Sequence, residues 1–148
     1  PYPWDGFRER LTRPSHSIWT YLTLGADMGG TPDPERRKVL TQVMAELGWP
    51  KGSIAFWPLA VLEEGYLCEN TALFRQGTEY AQASYVVCFG EEAFRLLCPE
   101  QAFIPGKHDC SALPATRCLL ALPGLEALSL GGADWVEALS LLQSISPA

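Results

Sequence analysis

Four short apolar runs, separated by segments of helical period, set out this chain. The first runs from Trp19 to Leu24. Leu22 and Leu24 fall on one face, and Trp19, Tyr21 and Thr23 on the other. A strand apolar on both faces suits the middle of a parallel sheet covered by helices. It leads into a glycine-rich turn from Gly25 to Thr31, where Gly25, Gly29 and Gly30 allow sharp bends and a close approach of ligand to backbone. The second run, Ser53 to Leu59, predicts a strand that Pro58 must end or leave at a sheet edge, because proline has no N–H to donate. Tyr85 to Phe89 is a third, continuous apolar strand. Arg117 to Leu122 is a fourth, followed by Pro123 and Gly124.

Helical spacing fills the intervals. Asp33 is a good N-cap and Pro34 fits the first helical position. Val39, Leu40, Val43, Met44 and Leu47 then recur at helical period until Gly48 stops the helix. Residues 69–82 predict a helix burying Leu73, Phe74, Tyr80 and Ala81 and weakened by Gly77. Gly90 precedes a helix over 91–97 whose acidic start complements the helix dipole. Asp134 predicts the cap of a last helix with Trp135, Leu139, Leu142 and Ile145 on one face. Residues 60–68 and 99–116 read as loops, the second of a length usually tied to function or mobility. Residues 1–16 read as an N-terminal arm with a short helix around Phe7 and Leu11. The whole pattern predicts one α/β domain over residues 1–148 with a mostly parallel sheet.

Composition changes this picture in three ways. With 148 residues, 47% of them apolar, the chain has room for a real core. No run approaches the ~20 apolar residues of a membrane helix and no secretory leader is visible, so the expectation is a cytoplasmic protein with no membrane partner. The net charge of −6 disfavours DNA as a partner, because phosphate contacts supply most non-specific affinity. Oligomeric state is left open. The five cysteines, at 68, 88, 98, 110 and 118, show no C-x-x-C spacing and fit a reduced compartment, with Cys88 and Cys98 as small core residues.

Candidate chemistry concentrates in the first turn. Asp27 is its only ionisable group, and ligands of open parallel sheets bind beyond the carboxyl ends of the strands. Its side chain either bonds the turn's own backbone or faces a ligand. Gly29, Gly30 and Thr31 form either a tight turn or an anion cradle at a helix start. Arg36, Arg37 and Lys38 read first as a solvated helical turn and second as a phosphate contact. The arm's Arg8, Arg10 and Arg13 read first as surface residues and second as a nucleic-acid contact. Phe56 and Trp57 form core or wall, and a base stacked on either would gain ~1–3 kcal/mol. His16 and His108 are isolated, and the sequence His108-Asp-Cys110 lacks the further ligands zinc needs.

The ordered pieces resemble the uracil-DNA glycosylase superfamily over roughly residues 18–146. Leu24-Gly-Ala-Asp-Met-Gly-Gly30 is similar to the family's first motif, a strand followed by G-x-D-P-G. Ile54-Ala-Phe-Trp-Pro58 takes the place of the second strand, where many members carry a base-reading asparagine. Tyr85-Val-Val-Cys-Phe-Gly-Glu-Glu-Ala-Phe-Arg-Leu-Leu97 is the best local match, a strand, glycine and helix. Leu120-Ala-Leu-Pro-Gly-Leu-Glu-Ala-Leu128 sits where the family has its fourth strand and H-P-S-type loop. The resemblance implies a three-layer α/β/α fold with a four-stranded sheet in the order 2-1-3-4. It also implies a crevice at the carboxyl ends of strands one and four, with Asp27 facing the 122–124 loop across it. The implied lining is Gly25, Ala26, Met28, Gly29, Gly30, Phe56, Trp57, Leu122, Pro123 and Gly124.

The departures from the family point to function. Leu122 replaces the histidine that stabilises the leaving uracil, and one such donor is worth ~2.7–4 kcal/mol in comparable sites. The asparagine position falls at Trp57, and the motif's proline is Met28. Asp27 alone keeps its chemical type, as the tentative catalytic residue. Some members hold an iron–sulfur cluster through four cysteines; this chain has none before Cys68, so no cofactor is expected. The expectation is a glycosylase-fold protein without base excision that keeps a crevice for a nucleobase, nucleotide or small anion. An active glycosylase in which Asp27 activates water, and a non-enzymatic protein-interaction domain, stand as alternatives.

Overall fold

The computed structural model describes residues 3–11, 13–30 and 32–147. Pro1 of the expected arm and Thr31 of the expected turn lie outside the described residues. In chain order the elements are α1 (Trp4–Arg8), β1 (Ser17–Tyr21), α2 (Leu24–Met28), α3 (Pro34–Leu47), β2 (Ile54–Phe56), β3 (Ala60–Glu63) and β4 (Tyr66–Glu69). They continue as α4 (Thr71–Ala81), β5 (Tyr85–Phe89), α5 (Glu91–Leu97), β6 (Gly106–His108), β7 (Cys118–Leu122), α6 (Leu125–Ser129) and α7 (Gly132–Gln143).

The main sheet is mixed and five-stranded, ordered β2-β1-β5-β7-β6. β1 pairs in parallel with β2 and β5, and β5 with β7, whereas β6 runs antiparallel to β7 at the edge. Every residue of β1 is buried, as its two apolar faces require. Ile18, Ala55, Val86, Cys88, Leu119 and Ala121 meet Phe74 and Ala81 of α4, Phe94 and Leu97 of α5, and Trp4 and Phe7 of α1. On the opposite face Trp19, Tyr21, Val87, Phe89, Leu120 and Leu122 meet Val39, Leu40 and Val43 of α3, with α6 and α7 beside them. Among the described residues no helix is long and apolar enough to cross a membrane.

Five expectations are corrected. The four-stranded sheet becomes five-stranded, because the stretch 99–116 is not wholly irregular: it contains β6, in register with Leu119–Ala121. The 60–68 loop is a hairpin, β3 against β4, and its two-residue connection Glu64-Gly65 has φ of 52° and 84°. Two positive φ values give the turn twist that matches paired strands.

The first strand ends at Tyr21, and the glycine-rich segment is a turn of helix, α2, with Asp27 N–H donating to Thr23 O. Gly25 is required by a close approach: a Cβ there would lie 1.8 Å from the Ala60 carbonyl oxygen of β3. Gly77 likewise serves packing, since a Cβ there would sit 2.1 Å from the Trp57 indole nitrogen. The buried side of α4 is therefore Phe74, Gly77, Thr78 and Ala81, with Tyr80 left exposed. Finally, Gly131 rather than Asp134 caps the last helix, and α6 fills part of the loop before it. α3 follows its sequence signals: Asp33 accepts from Glu35 N–H at 2.9 Å, Pro34 opens the helix, and Gly48 closes it at φ 61°.

Candidate functional site

Asp27 sits on α2, just past the carboxyl end of β1. Both of its oxygens are fully engaged. Oδ2 accepts from the Tyr21 hydroxyl at 2.6 Å and from Arg36 Nε at 2.9 Å. Oδ1 accepts from Arg36 Nη2 at 2.8 Å and from Asp33 N–H at 3.2 Å. Four hydrogen bonds account for the four lone-pair positions of a carboxylate. The guanidinium's planar fork matches both oxygens at once, and its remaining Nη1 reaches Asp33 at 3.0 Å. The pair is largely removed from solvent, with 11% of the Asp27 side chain and 18% of the Arg36 side chain exposed.

Burial alone would raise the Asp27 carboxyl. The hydrogen bonds from Arg36 and Tyr21, the charge of Arg36 and the Asp33 N–H outweigh it, and hold the group below its ordinary value. Tyr21 is pushed well above the usual phenol range, first by burial and then by its bond to Asp27. Arg36 is raised, chiefly through its hydrogen bond to Asp27. The cluster is therefore a fixed anion beside a fixed cation at neutral pH.

Two hollows flank it. A groove of about 570 Å3 opens on the Asp27 side, between β2 and α3. Its apolar walls include Leu24, Met28, Leu40, Met44, Ile54 and Phe56, and its polar rim carries Arg10, Asp33, Arg37 and Thr41. That volume falls within the range of small-molecule sites, and so does an apolar lining with few polar groups. On the Arg36 side, between the carboxyl ends of β1, β5 and β7, lies a cleft of only about 60 Å3 lined by Tyr21, Gly90, Gly124, Leu125 and Glu126. Arg36 stands between the two, with Glu126 4.0 Å from its Nη1.

The structure therefore separates residues that the sequence reading put in one crevice. Asp27, Met28 and Phe56 line the groove. Gly124 lines the small cleft. Gly25, Ala26, Gly29 and Gly30 line neither. Leu122 and Pro123 are buried, Leu122 without any exposed surface. Trp57 lies on the other face of the sheet, its rings 5.3 Å from Trp4 and its indole N–H donating to Leu73 O at 3.0 Å. Trp57 follows Phe56, the last paired residue of β2, and points the opposite way because side chains alternate across a strand.

Arg36 is the principal residue that sequence reasoning missed as an individual. It was grouped with Arg37 and Lys38 as a basic turn, yet helix geometry turns it inward while Arg37 and Lys38 stay exposed. The usable signal was the N-cap: Asp33 and Pro34 fix the helix start, so the third helical residue faces back toward Asp27.

The histidines stay outside the groove. His108 is held by Gln101 at 2.8 Å and Ile104 O at 2.7 Å, and among the described residues no group of three acidic, histidine or cysteine side chains is placed to hold a metal. No protein-family model matches the sequence, and no curated protein matches it.

Proposed function

We propose that this chain is a binding domain with a uracil-DNA glycosylase-like frame, which takes a small flat ligand of the nucleobase or nucleotide class in the β2–α3 groove and does not excise bases. The adjacency β2-β1-β5-β7 within the five-stranded sheet supports the frame. One observation carries the functional reading: an open, mostly apolar groove of about 570 Å3 adjoins a carboxylate whose acceptor positions are all filled. A general base must accept a proton from water, which needs a free lone pair and a basic carboxylate. Asp27 is placed to shape a wall instead. The position expected to help the leaving group is Leu122, sealed in the core.

Phe56 is half-buried at the groove and offers a ring face for stacking. Titration of isotope-labelled protein with uracil, adenine and their nucleosides tests the reading. Saturable NMR shift changes are expected at residues 24–28, 37–44 and 54–56, weakened by Phe56→Ala. Absence of any saturable change at ligand concentrations up to about 10 mM, a binding free energy under about 3 kcal/mol, removes the reading. An oligonucleotide assay is expected to give no excised base; product formation abolished by Asp27→Asn would reinstate the active-glycosylase alternative.

A further inference from the structure

We infer that the groove's ligand is an aromatic monophosphate, of nucleoside monophosphate size and shape, with its phosphate held by Arg10 and Arg37. The inference rests on the groove reading above and adds the ligand's charge and orientation. The groove has four charged side chains: Arg10, Asp27, Asp33 and Arg37. Its two carboxylates are both bound to Arg36, at 2.8 and 3.0 Å. Its two arginines have no carboxylate partner among the described residues.

Arg36, outside the groove, offsets one of the two carboxylate charges, and with Arg10 and Arg37 the sum over these five groups is +1. That is a local inversion in a chain of net charge −6. Arg10 comes from the segment after α1 and Arg37 from the start of α3, so two separate elements each bring an arginine to the one groove. Arg10 is steadied by the Phe7 ring, 5.7 Å from its guanidinium carbon. Guanidinium groups pair with phosphate oxygens in a planar, bidentate way that a neutral ligand cannot use.

The walls set the rest of the ligand. Leu24, Leu40, Met44, Ile54 and Phe56 offer apolar surface on both sides of a slot, and Thr41 adds a hydroxyl. A ring system between those walls, with one anionic group directed at the arginine rim, satisfies both. Inorganic phosphate alone leaves the apolar walls unused, and a free base leaves the arginines unused.

The test compares adenosine, adenosine 5′-monophosphate, phenyl phosphate and inorganic phosphate on the full chain, read by NMR shifts at the groove and by calorimetry. The monophosphate is expected to bind about tenfold tighter than adenosine, the gain of one charge-assisted contact pair. Arg37→Gln and Arg10→Gln are each expected to remove most of that gain, so that the ratio of monophosphate to adenosine affinity falls toward one. Phenyl phosphate matching the nucleotide would support the anion site while showing that the sugar and purine are not read. Equal binding of adenosine and its monophosphate overturns this inference and leaves the groove reading standing. A gain that persists in both arginine variants also overturns it. No binding by any of the four probes removes the groove reading and this inference with it.

Discussion

Two hollows share the Tyr21–Asp27–Arg36 cluster as a partition, and they differ in position. The cleft between β1, β5 and β7 is where an open parallel sheet ordinarily receives a ligand. Here its neighbouring strands pack closely, a Cβ on Gly90 would lie 3.6 Å from Gly124 Cα, and Arg36 lines the approach. The groove lies between α3 and β2, a three-residue strand at the edge of the sheet. Space for a ligand has moved from the centre of the sheet to its edge. One arginine, turned inward by a helix start, decides which side is open.

The sharpest way to break this contrast is to dislodge α2, which carries Asp27 and Met28. Gly25→Ala places a methyl 1.8 Å from the Ala60 carbonyl oxygen, backbone against backbone, where no rotamer can relieve it. A loss of about 3 kcal/mol is expected in urea denaturation, near the upper end of overpacking costs. The NMR changes should centre on the groove lining and spare Gly90 and Leu125. Unaltered stability would mean that α2 does not dock on β3.

Arg36→Met comes next. It keeps much of the aliphatic stem and removes both bonds to Asp27 and the one to Asp33. A fully buried pair broken on one side costs ~3–5 kcal/mol; partial exposure lowers the expected cost here to about 2–3 kcal/mol. Pairing it with Asp27→Asn in a double-mutant cycle should give a coupling of about 1–2 kcal/mol. Additive single effects would show that the partition is not held by this pair.

The parts of this architecture that were legible in the sequence are those set by local chemistry. The β1 run, the Asp33-Pro34 start and Gly48 stop of α3, and the Tyr85–Leu97 strand-glycine-helix all follow from periodicity and caps. The β3–β4 hairpin was missed because Glu63 and Glu64 hid a two-residue turn whose flanks, Val61-Leu62 and Tyr66-Leu67, are strand-like. β6 was missed because Gly106–His108 has no apolar pattern of its own and is defined by the partner it pairs with. Asp27 was visible as the lone acid of its turn, and the one sign of its partner was the Asp33-Pro34 helix start that turns Arg36 inward. The roles of Gly25 and Gly77 were unreadable: each answers a surface brought up by a different part of the chain.

A smaller effect separates the carboxylate's structural role from a catalytic one. The Asp27 carboxyl is held below its ordinary value when folded, so the unfolded chain binds the extra proton first as pH falls. The stabilisation from its bonds is complete above the unfolded carboxylate pKa of about 3.9 and is lost as pH drops through the lowered folded value. Asp27→Asn should therefore be less stable than the parent at pH 7, by about 1–2 kcal/mol, with the single amide oxygen able to replace only Oδ2 facing Tyr21 or Oδ1 facing the Asp33 N–H. The two stability curves should converge only below about pH 4. Convergence between pH 5 and 7 would place the group in the range of a working base and restore its candidacy for water activation.

The smallest expected effect bears on the partition from its other side. Arg36 has two acids on the groove side, Asp27 at 2.8 Å and Asp33 at 3.0 Å, and one on the cleft side, Glu126 at 4.0 Å with 80% of its side chain exposed. An exposed pair at that distance gains little over its hydration and side-chain entropy. Glu126→Gln should change stability by less than about 0.5 kcal/mol, and that residue should weaken further with added salt. The Asp27→Asn loss should persist in the same salt series, because that pair is shielded from solvent. If instead the two substitutions cost the same, Arg36 would be shared between groove and cleft. The contact at the cleft's own rim would then help hold Arg36 across its approach, and removing Glu126 would be the way to open it.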